Sequence, residues 1–350
     1  MKGAVQEYYG KVLRGSSDLK TNACCTEEAL PEYVKPILGQ IHDDVLSRYY
    51  GCGLVLPEAL EGLTVLDLGC GAGRDVYLLS GLVGEHGRVI GVDMTEEQLD
   101  VARRHQEFHR IAFGYAKSNV SFLSEDIESL DALHLPDGCV DVVVSNCVVN
   151  LVVNKSQVFQ EVFRVLKPGG EMYFSDVYAD RRMPEDLSKD PVLYGECLSG
   201  ALYWNDFLRI VRENGFVDPR LVSDRPLSIG DSEVIARTGH IRFFSATYRL
   251  FKLQELESAC EDYGQTVLYR GTLPHLPHSF RLDRHHLFET GRHLPVCGNT
   301  WRILHDTRFR DHFEFSGDFS RHFGIFPGCG TTIPFDTTGN RPDKMAGACC

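Results

Sequence analysis

The chemistry legible in this chain begins with sulfur. The sequence holds 12 cysteines among 350 residues, and thiolates serve both as nucleophiles and as ligands for soft metals and metalloids. Cys52 stands between two glycines in RYYGCG, and Cys24 and Cys25 close the polar run LKTNACC. Cys147 follows the apolar VDVVVSN, with Asn146 before it and Asn150 after it, a pattern expected at the edge of a cleft. Cys197 lies in LYGECLSGALYW, beyond the next apolar run. A structural cysteine is seldom flanked by glycines in a turn, so Cys52 is expected to be accessible and reactive. Cys70, Cys139, Cys260, Cys297 and Cys329 read as small packing residues. The opening stretch MKGAVQEYYGKVLRGSSDLK lacks the apolar centre of a secretory signal, and the expected location is cytoplasmic. Thiols stay reduced there, so ligation or redox catalysis explains so many cysteines better than a disulfide framework.

A second constellation lies in VLDLGCGAGRD, which places Asp67, Gly69, Gly71 and Gly73 on the turn between a strand and a helix. Glycines there let the backbone approach a ligand at the carboxyl end of an open parallel sheet. The spacing G-x-G-x-G departs from the dinucleotide fingerprint G-x-G-x-x-G, and Asp67 stands two positions before Gly69. A carboxylate in that place repels a pyrophosphate but suits the ammonium group of a bound amino acid. S-adenosylmethionine has such a group and no phosphate. Asp93 ends the next strand, where its oxygens can accept from both ribose hydroxyls, and Met94 follows as an apolar neighbour for the adenine. Asp126 and Ile127, after the third strand, suit the adenine amino edge. Tyr50 can present a ring face to the sulfonium, with plain packing as the alternative. Together these residues read as a methyltransferase, against a nicotinamide enzyme or a ligand-free glycine turn.

The elements that must hold these residues alternate between apolar runs and amphipathic segments. TVLDL (64–68), RVIGVD (88–93), VSFL (120–123), VDVVVSN (140–146) and EMYFSDV (171–177) are the expected strands, nearly continuous apolar runs as buried parallel strands should be. Segments 74–83, 95–113 and 155–166 have helical spacing. Thr95 and Gln98 have the spacing of a capping box, and Lys167 to Gly170 stop the third helix and turn the chain into the fifth strand. The fold class is α/β: a doubly wound, Rossmann-like class I methyltransferase domain. Ahead of it, residues 31–50 read as a helix with Val34, Ile37, Leu38, Ile41 and Val45 inward. Behind it, 185–200 and 204–214 read as helices, and 242–251 and 266–273 as strands of a smaller α+β domain. The expected division is 1–60, an N-terminal helical extension carrying thiols; 61–225, the cofactor-binding domain; 226–335, a C-terminal domain; and 336–350, a flexible tail.

A net charge of −13 without a Lys/Arg run argues against nucleic acid as a partner. The most apolar stretch, 140–153, is short and interrupted by polar residues, so no membrane is expected. His275, His278, His285, His286 and His293 lack cysteine or carboxylate partners at finger-type spacing, and no structural metal is expected.

The segments LKTNAC, RYYGCG, VLDLGCGAGRD, VVSNCVVNLV, LKPGGEMYFSDVY, GECLSGALYW and RFFSATYRLFK, in that order over residues 1–251, resemble the motifs of the arsenite S-adenosylmethionine methyltransferases. The resemblance implies transfer of methyl groups from S-adenosylmethionine to thiol-bound As(III), giving mono- and dimethylated arsenicals in arsenic detoxification. It implies Cys24, Cys52, Cys147 and Cys197 as the catalytic thiols, with Cys147 and Cys197 holding the metalloid throughout the cycle and Cys52 joining them as an As(III) ligand. Cys25 beside Cys24 leaves open which N-terminal thiol acts. The implied partners are arsenite or its thiol conjugates and a thiol reductant, thioredoxin or glutathione.

The chemistry agrees. Trivalent arsenic is thiophilic and keeps a lone pair, so thiolates from separate segments suit it. Methylation formally oxidises As(III) to As(V), and two thiols closing a disulfide return the two electrons. That accounts for four thiols where binding needs two or three. Two other readings compete: a thiol-rich protein that sequesters arsenite or a soft metal without turnover, and a carbon or oxygen methyltransferase of quinone or sterol type. The cofactor loop with Asp67 and Asp93 favours an enzyme over the first.

Overall fold

A computed structural model describes residues 30–49, 51–188, 193, 197–229 and 232–329, with backbone alone at 186, 188 and 233. Cys24, Cys25, Tyr50, Cys349 and Cys350 lie outside the described residues. The chain divides into two compact units between Lys252 and Leu253.

The first unit is built on β1 (Thr64–Leu68), β2 (Arg88–Asp93), β3 (Val120–Ser124), β4 (Val140–Asn146), β5 (Leu166–Ala179), β6 (Leu202–Tyr203), β7 (Arg220–Pro226) and β8 (Phe243–Phe251). They form one sheet in the order β3-β2-β1-β4-β5-β8-β7, with β6 paired to β5. Pairing is parallel from β3 to β5, while β8 runs antiparallel to both β5 and β7. Alternation along each strand sends side chains to opposite faces. Val65, Val89, Val142 and Val144 meet α3 (Arg74–Val83) and α4 (Glu96–Arg104) on one face. Leu66, Ile90, Val143, Met172 and Phe174 meet α6 (Lys155–Val165) and α8 (Trp204–Glu213) on the other.

The sequence anticipates β1, β2, β4 and α3 at their observed ends, and several other expectations need correction. Residues 31–50 do not form one helix: α1 (Lys35–Leu38) and α2 (Asp43–Leu46) are separated at Gly39, and His42 caps α2 by accepting the Asp44 N–H at 3.1 Å. Val34, Ile41 and Val45 are buried all the same. The helix expected over 95–113 breaks at His105 into α4 and α5 (Gln106–Ala112). His105 stacks on His42 with ring centroids 3.7 Å apart and reaches Asp44 at 3.1 Å. His109 Nε2 accepts the His42 N–H at 3.2 Å, and burial lowers that ring's pKa to about 4. Tertiary contacts to the N-terminal segment thus override local helical preference. The capping box is absent: Thr95 makes no side-chain cap, and its hydroxyl bonds to Asp93 instead.

The domain boundary expected at 225 lies at Lys252, because β8 pairs with β5 along its whole length from Phe243↔Ala179 to Phe251↔Glu171. Within that pairing Arg249 is fully buried, ion-paired to Glu58 and to Glu171 at 3.4 Å, with its guanidinium 4.9 Å from the Tyr173 ring. Arg249→Met removes the cation beside a buried carboxylate and is expected to cost ~3–5 kcal/mol in urea denaturation.

In the first unit the chain continues from β5 through α7 (Glu185–Ser188), and α9 (Ser232–Thr238) precedes β8. The second unit contains β9 (Glu261–Asp262), β10 (Gln265–Tyr269), β11 (Ser279–Arg281), β12 (Leu287–Glu289), β13 (His293–Val296), α10 (Gly298–His305), β14 (Phe313–Ser316) and β15 (Gly324–Ile325). β10 lies between β13 and β14 in an antiparallel sheet, and Val267, Tyr269, Phe280, Phe288, Phe309 and Phe313 are buried beside it. Among the described residues no helix is long and apolar enough to cross a membrane.

Candidate active site

The carboxyl ends of β1, β2 and β4 open into a cleft enclosing about 1010 Å³ including its mouth, the place where open α/β sheets take their ligands. Asp67, Gly69, Gly71, Asp93, Met94, Asp126 and Ile127 line it. Gly71 has φ 52°, and an added Cβ would meet nothing within 4 Å, so its backbone faces open space. Gly69 has φ 73°, and a Cβ there would stand 2.4 Å from Val148. Asp93 Oδ2 accepts the Gly71 N–H and Oδ1 the Thr95 N–H, each at 2.8 Å, and the Thr95 hydroxyl and the Met94 N–H bond to the same carboxylate, which fixes it at the edge of the cleft. Asp126 caps the following short helix by accepting the Glu128 N–H at 2.9 Å.

Asp67 decides what the cleft can hold. It is 3% exposed, and its Oδ2 is buried without a hydrogen-bond partner among the described residues. Burial, then the charges of Asp75 and Asp93, push its pKa well above the carboxylate range. An acceptor placed so expensively is complementary to a cationic donor such as an ammonium. S-adenosylmethionine therefore fits the residues present.

One expected contact differs. Gly73, with φ 87°, is the N-cap of α3 and faces Phe122 and Ala102, where a Cβ would come within 3.0 Å of Phe122; it serves helix packing and does not line the cleft. Among the described residues the cleft is lined by the aromatic Tyr49, beneath the Arg74 guanidinium at 3.9 Å; the Tyr50 expectation lies outside the described residues. Arg48, Arg74, Asp75 and Gln98 also line the cleft and were not anticipated from sequence. The apolar period of α3 gives no sign that its first turn faces a ligand, although the acid after a glycine loop was a usable signal.

Cys147 shares this cleft and leads into the thiol cluster. Cys52 Sγ, Cys147 Sγ and an Asp176 oxygen lie within 4.8 Å of one another, all three residues buried. Cys197 Sγ donates to the Cys147 carbonyl oxygen at 3.3 Å, and the three cysteines share one buried cluster with Val177 and Ala179. Cys147 and Cys197 have φ of 62° and 61°, a left-handed backbone that non-glycine residues adopt mainly where function or tight turns demand it. Gly200 lets the Cys197 turn abut the neighbouring loop, since a Cβ there would fall 2.1 Å from the Asn150 carbonyl oxygen. Asp176 accepts from Asn150 N–H at 3.0 Å and Val177 N–H at 2.8 Å; burial, then the nearby Cys197, raises its pKa to about 8.

Cys52 is 1% exposed, which corrects the expectation of an accessible thiol. Its flanking glycines serve close approach: a Cβ on Gly53 would lie 2.2 Å from Ser175 Oγ, and one on Gly51 would strike Tyr49 and Asn146. Asn146 Oδ1 accepts the Cys52 N–H at 2.9 Å and the Gly53 N–H at 3.2 Å, and Ser245 Oγ donates to the Cys52 carbonyl at 2.8 Å. Gly53→Ala is therefore expected to destabilise by ~1–3 kcal/mol and to lower arsenite affinity, read by denaturation and by arsenite titration.

A cleft that offers a buried carboxylate to a cation beside a glycine turn, over a sheet of this order, defines an S-adenosylmethionine-dependent class I methyltransferase; residues 59–215 match the methyltransferase domain family. Residues 263–331 match the arsenite methyltransferase C-terminal domain. The chain is 61% identical over 336 residues to the arsenite methyltransferase of Aquipseudomonas alcaligenes, covering 96% of each, and 44% identical over 312 residues to that of Homo sapiens, covering 88% of this chain and 82% of the other. The crystal structure of an arsenic(III) S-adenosylmethionine methyltransferase from Chlamydomonas reinhardtii matches with a TM-score of 0.83 and 47% identity, over 85% of this chain and all (100%) of that one. The chain belongs to the arsenite methyltransferase family and is an S-adenosylmethionine-dependent arsenite methyltransferase.

Proposed function

We propose that Cys52, Cys147 and Cys197 hold arsenite as a thiol complex, that Cys147 and Cys197 retain the arsenical through the cycle, and that Cys24 and Cys52 form the redox relay. The observation that carries this reading is the meeting of Cys52, Cys147 and Cys197 in one buried cluster that opens, at Cys147, into the cofactor cleft. Arsenite enters by ligand exchange: each thiol proton leaves with a hydroxyl of arsenous acid as water, so the neutral site binds a neutral substrate without creating a buried charge.

Asp67 would hold the ammonium end of the cofactor, Asp93 its ribose hydroxyls, and Met94, Asp126 and Ile127 its adenine. S-adenosylmethionine supplies an activated methyl group when bound. The protein contributes mainly position: fixing a thiol-held arsenic beside that cleft is the kind of orientation worth up to about 7–11 kcal/mol. Methylation of the arsenic lone pair takes As(III) formally to As(V). The Cys24 thiol then closes a disulfide on the Cys52 sulfur: the Cys52–arsenic bond breaks, its electron pair stays on arsenic and restores As(III), and one proton is released; a thioredoxin- or glutathione-type dithiol or thiol pair reopens the disulfide by exchange. Mono- and dimethylated arsenicals are the products, and detoxification in the cytoplasm is the role this supports. Incubation of the protein with arsenite, S-adenosylmethionine and a thiol reductant, followed by chromatography with element-specific detection, tests it. Methylated arsenic in step with cofactor consumption is expected, and arsenic bound but never methylated favours sequestration.

A further inference from the structure

We propose that the arsenite site is also a binding site for a thiophilic divalent cation of the zinc and cadmium type, with the Asp176 carboxylate as the third donor beside Cys52 and Cys147. The inference rests on the reading of Cys52 and Cys147 as paired thiol ligands and adds a residue that arsenic chemistry does not need.

Three donor atoms from three separate segments lie within 4.8 Å of one another, and all three residues are buried. Cys52 precedes β1, Cys147 follows β4 and Asp176 lies in β5. Two sulfurs and a carboxylate oxygen are an ordinary donor set for zinc, whose tetrahedral sites mix cysteine and aspartate. The same oxygen is a poor ligand for As(III), which selects sulfur. Asp176 is already oriented, since its two oxygens each accept a backbone N–H, from Asn150 and from Val177. Those bonds leave each oxygen another lone pair. Ligating carboxylates are held by outer hydrogen bonds of this kind.

The exchange balances without redox chemistry. A divalent cation displaces the protons of two thiols and of the carboxyl group where that is protonated, forms two metal–sulfur bonds and one metal–oxygen bond, and keeps a fourth position for Cys197 or water. The resulting complex has no lone pair on the metal to methylate, so it is a dead end. The cation should therefore compete with arsenite.

The test uses the full-length reduced protein. Zinc is expected to raise the KM for arsenite without changing kcat. In Asp176→Asn the zinc inhibition constant is expected to rise about tenfold or more relative to that variant's own KM for arsenite, and equilibrium dialysis should retain one zinc fewer per chain. Cofactor calorimetry checks that the variant is folded. Cadmium NMR of the wild-type protein gives an answer independent of the variant: a resonance from a mixed sulfur and oxygen donor set, displaced by arsenite. Inhibition that is not competitive, a zinc constant untouched by Asp176→Asn, or an arsenite-sensitive cadmium signal from sulfur alone overturns the proposal and leaves the thiol reading intact. Arsenite binding that survives both Cys52→Ser and Cys147→Ser overturns the thiol reading instead, and this proposal with it.

Discussion

Cys147→Ser and Cys197→Ser are each expected to abolish methylation at every step, with product below detection, while S-adenosylmethionine still binds. Both residues carry left-handed backbone, and the Cys197 thiol rests on the Cys147 carbonyl. A serine keeps that geometry and exchanges a soft donor for a hard one, so the loss isolates sulfur chemistry from packing. The expected deficit is large because it removes the anchoring of the reacting atom, an orientation effect of up to about 7–11 kcal/mol. Cys52→Ser, by contrast, is expected to stop the first methylation and to spare a pre-methylated arsenical, which needs one thiol ligand fewer. The same pattern is expected for Cys24→Ser. Assays with arsenite and with a monomethylated substrate, run side by side, separate these outcomes. Equal loss on both substrates for all four variants contradicts the division of roles.

The second large effect is expected at Asp67. Asp67→Asn should weaken S-adenosylmethionine by about 2–5 kcal/mol, roughly 30- to 5000-fold in Kd, with arsenite binding retained. The reason is the buried Oδ2, which has no hydrogen-bond partner among the described residues and which an amide cannot offer to a cation as a carboxylate does. A pH dependence follows. Burial, Asp75 and Asp93 raise the Asp67 pKa well above the carboxylate range, so without cofactor the group takes up a proton more readily than an ordinary carboxylate. A bound ammonium favours the ionised form. Cofactor binding should then release a proton and should tighten as the pH rises through that raised pKa. In the cofactor-free protein the sign is opposite: the stabilising contribution of protonated Asp67 is complete below the unfolded carboxylate pKa and is lost as the pH rises through the folded one. Calorimetry in buffers of different ionisation enthalpy counts the protons, and binding without proton release contradicts this account.

The strands and the glycine turn were legible because buried parallel strands and a ligand turn both leave local signatures. β1, β2 and β4 are mostly apolar runs bounded by turn residues. What could not be read depends on partners distant in sequence. The break at His105 comes from His42 and Asp44, some sixty residues earlier. The placement of β8 comes from its pairing with β5, a register that no local pattern in RFFSATYRLF encodes. The burial of Cys52 has a related cause: its flanking glycines do not mark an open turn but let the segment press against Ser175 and Asn146. An acid inside an apolar strand has no period of its own, so nothing local singles out Asp176, and only the fold brings it to Cys52 and Cys147.

X-ray absorption at the arsenic edge, on the reduced protein loaded with arsenite, tests the central claim most directly. Three sulfur neighbours are expected in the wild-type protein, two in Cys52→Ser, and no ordered arsenic when Cys147 and Cys197 are both replaced. An oxygen-dominated shell, or an arsenic environment unchanged in that double variant, would contradict it.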